Sequence, residues 1–210
     1  MRRRVGPRHL LWLAGLGPAA GQAQPAKPTA LATRRYAIEV AGIRVGTMTA
    51  TRQPQPGTPD VTFTLTSDVK VNFLVYHLKV YYQVVNQVHN GQLLLSTVVA
   101  HTNQGDFSSR TEWKGDHYDI VADQYKYQHR ATEPHPITYT VTNLFFGEPT
   151  SQPRAFAEYF GDYFALSPAA AGTHRAQRDG REDEYQYTNG QLVTIIKKNS
   201  IKNFVIRWLP

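Results

Sequence analysis

Cysteine is absent from the 210 residues. Disulfides, thiolate nucleophiles, cysteine-based metal sites and a lipid anchor on an N-terminal cysteine are excluded, so the fold must be held by burial alone. No Walker-type or dinucleotide glycine pattern occurs, and neither does Gly-x-Ser-x-Gly, which removes the common signatures of nucleotide binding and of α/β-hydrolase chemistry. Long apolar runs are scarce as well. The best, Leu10 to Ala20, is interrupted by Gly15, Gly17 and Pro18. It falls short of the about 20 apolar residues that a membrane-spanning helix needs.

That short run has its own meaning. Arg2, Arg3, Arg4 and Arg8 precede it, and Gly21-Gln22-Ala23 follows with small residues at the two positions a signal peptidase reads. Basic head, apolar stretch and small-residue exit are the layout of a secretory signal peptide, expected over residues 1–23. The chain is accordingly expected to be exported, to the periplasm or the extracellular space. Residues 1–23 hold four of the 23 basic side chains and none of the 16 acidic ones, so the net charge of +7 falls to +3 without them. Much of the basic character then belongs to the address, and nucleic-acid binding loses its support. Residues 24–33, rich in Pro and Ala, read as a flexible lead-in, and 34–210 as one domain.

Within that domain, strand patterns dominate. Val61, Phe63, Leu65, Val69, Val71 and Phe73 alternate with Thr62, Thr64, Thr66, Asp68, Lys70 and Asn72, the period of two that gives a strand one dry face and one wet face. The phase then flips to Leu78, Val80, Tyr82, Val84 and Val88, which places a bulge or corner near Leu74–His77. Residues 36–50 read as two strands about Ala41-Gly42, and 117–130 as two strands about Asp123-Gln124. Residues 184–196 and 201–210 close the chain as strands. Asn-Gly-Gln-Leu occurs twice, at Asn90 and at Asn189. Asn-Gly is the strongest two-residue hairpin signal, because a type I′ turn needs positive φ at both central residues. The flanks of the two copies differ, so turn chemistry rather than duplication accounts for the repeat.

One stretch breaks the rhythm. Residues 140–147 predict a short helical turn, with Asn143 as its cap and Gly147 and Pro149 as its stop. This turn and the following segment carry Phe145, Phe146, Phe156, Tyr159, Phe160, Tyr163 and Phe164. Aromatics here either fill one end of a barrel or line an apolar cavity. Turn signals every 8–15 residues complete an all-β reading: a single curved antiparallel sheet, barrel-like, in the manner of a lipocalin or an unclosed barrel.

The order of these pieces resembles an uncharacterised family of secreted bacterial proteins, a domain of unknown function. The resemblance rests on Tyr36, Gly42-Ile43 and Gly46, the Asn90-Gly91 hairpin, Pro136-Ile137, Leu144-Phe145 with Glu148-Pro149, Gly161 with Tyr163, and Tyr185-Gln186-Tyr187 with Asn189-Gly190. It implies a barrel-like antiparallel sheet in the cell envelope and supplies no catalytic residues.

Reactive constellations are thin. His129, Glu133 and His135 lie close in sequence, yet Pro134 and Pro136 make the stretch a loop without metal-site spacing. Asp179, Glu182, Asp183 and Glu184 share a turn with Arg178 and Arg181, which reads as solvated charge, and Lys197-Lys198 as solvated strand-end lysines. The expectation is therefore a non-catalytic protein, without metal or cofactor, that holds an apolar or amphipathic molecule such as a lipid. Phe73, Tyr82, Phe145, Phe146, Tyr159 and Phe160 are its candidate ligand-binding residues. A structural module that docks to an envelope protein is the alternative; a metal-assisted hydrolase and an outer-membrane barrel stand behind it.

Overall fold

Alternating Thr/Val/Tyr segments punctuated by positive-φ dipeptides build a meander in which each strand pairs with its sequence neighbour. A computed structural model describes residues 30–73, 76–198 and 203–210. The first half runs through β1 (Ala32–Val40), β2 (Ile43–Pro54), β3 (Asp60–Phe73), β4 (Tyr76–His89), β5 (Gln92–Thr102), β6 (Gly105–Trp113), β7 (Tyr118–Gln124) and β8 (Tyr127–Glu133). A link over 134–153 contains a 3-10 turn at Val141–Phe145. The second half follows as β9 (Arg154–Ala157), β10 (Asp162–Ala170), β11 (Thr173–Arg178), β12 (Arg181–Thr188), β13 (Gln191–Lys197) and β14 (Phe204–Leu209). The expected signal peptide at 1–23 lies outside the described residues. β1 already begins at Ala32, inside the segment expected as a lead-in.

All the described strands join one antiparallel sheet, in the order β8-β7-β6-β5-β4-β3-β2-β1-β14-β13-β12-β11-β10-β9. The first and last strands meet in its middle, with Tyr36 opposite Trp208 and Ile38 opposite Ile206. Its two edges, β8 and β9, are neighbours in sequence, joined by the link. The expected all-β curved sheet is what forms, and it is unclosed: among the described residues no ladder joins β8 to β9.

The hairpin chemistry follows the sequence at both Asn-Gly pairs. Asn90 and Gly91 take φ of 49° and 80°, and Asn189 and Gly190 take 52° and 73°, joining β4 to β5 and β12 to β13. Two details differ from the sequence reading. The phase flip near Leu74–His77 is a chain reversal rather than a bulge: Asn72 faces His77 and Phe73 faces Tyr76 across a long ladder. An antiparallel register of that kind pairs odd positions with even ones, so the flip is the expected consequence of a hairpin. The turn between β7 and β8 is Tyr125-Lys126 rather than Asp123-Gln124, since Gln124 pairs with Tyr127 and Lys126 takes φ of 56°. Register shifts instead fall at Ile38/Glu39, Gln87/Val88, Pro168/Ala170 and Gln186/Tyr187. Bulges of this kind add local twist and coil a strand.

The sheet rolls around the segment 137–164. Leu144 and Phe145 of the 3-10 turn are buried. Phe145 meets Tyr36 of β1 edge-on at 5.5 Å, Arg34 of β1 donates to the Phe145 carbonyl at 2.5 Å, and Tyr187 of β12 donates to the Leu144 carbonyl at 2.9 Å. On the other side, Phe156 of β9 is fully buried in a cluster with Leu93, Tyr118, Ile120 and Ile137. Each such aromatic or aliphatic side chain contributes roughly 1.5–3 kcal/mol on burial. The link's backbone is satisfied inside the roll: Leu93 N–H donates to Ile137 O at 2.8 Å and Phe156 N–H to Tyr139 O at 2.9 Å. Asn143 is not the residue that starts the turn; Thr140 takes that place, and the Asn143 Oδ1 accepts from the Thr140 N–H at 2.8 Å.

Side chains close the seam that backbone pairing leaves open. Tyr127 of β8 donates to the Phe160 carbonyl at 3.1 Å. Arg178 of β11 donates to the Tyr127 hydroxyl at 3.0 Å and reaches Asp162 of β10 at 3.0 Å. Gly161 sits where the inner segment meets β7. A Cβ there would lie 2.5 Å from Ile120 Cγ2, and its φ is +65°, so both space and backbone call for glycine.

Candidate functional site

Filling by the link is incomplete at one end of the roll. A cavity of about 340 Å³ remains, with walls from β1 (Ile38), β2 (Met48), β3 (Val69), β4 (Tyr82), β10 (Phe164) and β14 (Phe204, Ile206) and a face made by Ala157, Glu158, Tyr159 and Phe160 of the inner segment. A second hollow of about 330 Å³ shares Val69, Tyr82, Tyr159 and Phe204 with the first and extends to Leu78, Val80, Ala100, Phe107 and Tyr125. The two form one apolar trough divided by the Tyr82 and Tyr159 rings, whose centroids lie 6.3 Å apart. Strand alternation places these side chains: Val80, Tyr82, Val84 and Asn86 are successive inward positions of β4.

Polar groups stand at both ends of the trough. At its mouth, Arg181 and Lys198 are exposed. Lys197 pairs with Asp183 at 2.6 Å, Lys198 pairs with Glu182, and the Arg181 guanidinium lies 5.2 Å from the Phe160 ring centre. At its inner wall, Glu158 is 3 % exposed. Its Oε1 accepts from Asn86 Nδ2 at 2.8 Å and from the Thr142 N–H at 3.1 Å. Asn86 Nδ2 also reaches Thr142 Oγ1 at 2.7 Å, so a fully buried strand residue clamps the link from below. Burial pushes the Tyr82 phenol well above its ordinary range, and the nearby Glu158 and Tyr159 push it further. Tyr185 is raised in the same way, first by burial and then by Asp183, Tyr187 and Glu158. Both phenols therefore stay protonated through neutral pH and offer hydroxyl groups rather than charge.

The six candidate aromatics separate by location. Tyr82 and Tyr159 line both hollows, and Phe160 lines the first. Phe145 and Phe146 are not in its walls; they pack on Tyr36 and, at 5.6 Å, on Phe63. The side chain of Phe73 lies outside the described residues. The charged turn and strand end that read as solvated are partly structural. Asp183 is buried to 9 % exposure, and Arg178, Asp183 and Lys197 are tied into the sheet by the pairs described. Glu158, Arg181 and Asp183 also line the first hollow and were not among the candidate residues. The period-two beat of β12, with Asp183 two positions before Tyr185 and four before Tyr187, carried the signal for Asp183. No local pattern marks Glu158, because its partner Asn86 is remote in sequence. Among the described residues no group of three or more His, Cys, Asp or Glu is arranged to hold a metal ion: Glu133 and His135 pair with each other at 2.9 Å, while His129 stacks on Tyr127.

A model of the domain of unknown function DUF6134 matches residues 36–208. The chain belongs to that family. The match spans β1 through β14, so the DUF6134 domain is the whole rolled sheet with its inner segment and the trough. The comparison with curated proteins returned no match, and neither did the comparison with solved structures.

Proposed function

We propose that this DUF6134 protein is a non-catalytic binder of an apolar or amphipathic small molecule such as a lipid, working outside the cytoplasm. The trough carries this reading. Two adjoining hollows of about 340 and 330 Å³, walled mainly by aliphatic and aromatic side chains, with charged groups at the mouth and inner wall of the first and Ser67, Thr102 and Gln104 in the second, fall in the size and chemistry of small-molecule sites. Aromatic rings such as Tyr82 and Tyr159 give a wide apolar contact at low entropic cost. The export part rests on the basic head, apolar stretch and small-residue exit of residues 1–23. Nile red, a neutral solvatochromic dye, tests the binding reading when titrated against the purified domain, alongside native mass spectrometry of protein taken from its own cells. Saturable blue-shifted emission and a bound mass removed by solvent extraction are expected. Repeated absence of both would overturn the reading. Mass determination of the protein recovered from cell fractions tests export: loss of residues 1–23 and recovery outside the cytoplasm are expected.

A further inference from the structure

Glu158 has a position explained by its hydrogen bonds and a charge that they leave unexplained. Both donors, Asn86 Nδ2 and the Thr142 N–H, go to Oε1. A glutamine would accept the same two bonds through its amide oxygen, so holding the link in place does not require a carboxylate. Among the described residues no lysine, arginine or histidine lies within ion-pair distance of Glu158, whereas Asp183, Glu182, Asp162 and Glu39 each have a lysine or arginine. A buried carboxylate without a counter-charge is costly, and such groups are ordinarily paired. This one lines the cavity at 3 % exposure. The wall around it is electron-rich: Tyr82 and Tyr159 present rings of the kind that attract cations, whereas the Phe160 ring already holds the Arg178 and Arg181 guanidiniums at 4.8 and 5.2 Å. At the mouth, Lys197 and Lys198 are already matched by Asp183 and Glu182, and Arg181 is exposed with its guanidinium over the Phe160 ring, so none of them pairs with Glu158.

We infer that the missing counter-charge arrives with the ligand: the trough takes a molecule with an apolar body and a protonated amine, and the amine sits against Glu158 at the inner wall. This rests on the binding reading above and names its ligand class. Nothing is transferred or broken; the pair forms on binding and separates on release.

Three probes of one tail length, decylamine, decanoate and decanol, test this when each displaces Nile red from the wild-type protein at neutral pH, below the micellar range. Decylamine is expected to bind at least about tenfold more tightly than either of the others, the scale of a desolvated charge pair. Glu158→Gln keeps the two bonds to Asn86 and Thr142 and so is expected to keep the fold, checked by circular dichroism and thermal melting. It should abolish the preference for decylamine over decanol and decanoate. Equal affinity for the three probes in the wild type would overturn the inference while leaving the apolar-binding reading intact. Tighter binding of decanoate, lost in Arg181→Ala, would overturn it too and move the recognised charge to the mouth. Persistence of the amine preference in Glu158→Gln would overturn the role of this residue. Failure of Nile red and all three probes to bind would overturn both readings. The wild-type series decides the ligand class even where the variant does not fold.

Discussion

Gly161→Ala puts a methyl group into the seam between the two halves of the rolled sheet. In the structure that methyl would sit 2.5 Å from Ile120 Cγ2, well inside van der Waals contact, and the backbone there has φ of +65°. Two costs follow. The left-handed conformation costs an alanine about 1–2 kcal/mol relative to glycine. Overpacking against a buried isoleucine adds about 1–3 kcal/mol, because Ile120 is 4 % exposed within the cluster of Phe156 and Tyr118 and has little room to yield. The sum is about 2–5 kcal/mol, read as a lower midpoint in urea unfolding followed by tryptophan fluorescence. The two terms separate in a double-mutant cycle. Ile120→Ala alone leaves a cavity and costs about 2–5 kcal/mol, but in the presence of Gly161→Ala it removes the atom that clashes. The double variant should then be more stable than the sum of the singles predicts by about 1–3 kcal/mol. Additive behaviour, or a Gly161→Ala cost below about 0.5 kcal/mol, would mean that the inner segment does not lie against β7 and that the seam is wrongly drawn.

Three further outcomes follow from the same structure. Asn86→Ala removes the donor that Thr142 and the Glu158 carboxylate share, and should cost about 2–4 kcal/mol in urea unfolding, most of it from the abandoned buried acceptors. Phe156→Ala should cost about 3–5 kcal/mol by the same assay, since the ring is fully buried and its loss leaves a void. Alkaline pH should unfold the protein. Burial, the largest cause, raises the phenols of Tyr36, Tyr139 and Tyr163 from 10.0 to about 12, so above pH 10 the unfolded chain releases protons that the folded chain keeps. Stability therefore falls as pH rises from about 10 to 12. For Tyr36, with no exposed surface, the loss amounts to about 2–3 kcal/mol by pH 12. Phenolate absorbance should lag behind that of free tyrosine until far-ultraviolet circular dichroism is lost.

The sequence carried the fold well wherever the deciding interactions are local. The alternation of Phe63, Leu65 and Val69 with threonines is the burial pattern of β3, and both Asn-Gly pairs turn the chain as their φ angles require. Errors arose where a local rule had two solutions. A one-residue phase flip fits either a bulge or a reversal, and only the β3–β4 ladder decides between them. At 123–126 the turn was set by pairing Gln124 with Tyr127, against the usual preference for Asp in turns. The residues lining the candidate trough were legible only in part. Tyr82, Tyr159 and Phe160 could be named because large rings in and beside a twisted sheet must go inward or line a hollow. Which of them face a hollow depends on how far the link fills the roll, and that volume balance is not written in any short window. Glu158 was illegible for the same reason: it is buried by a strand 72 positions away, and in sequence it is one acid beside Tyr159.

The central claim is that the segment between the two sheet edges is the inside of the molecule. Amide hydrogen exchange, followed by mass spectrometry on peptides covering 137–164, tests it most directly, since the Phe156 N–H is bonded to Tyr139 O within the roll and exchange there requires opening of the structure. The account predicts protection of these amides for as long as those of β3 and β4. Exchange within seconds, at the rate of a surface loop, would contradict it.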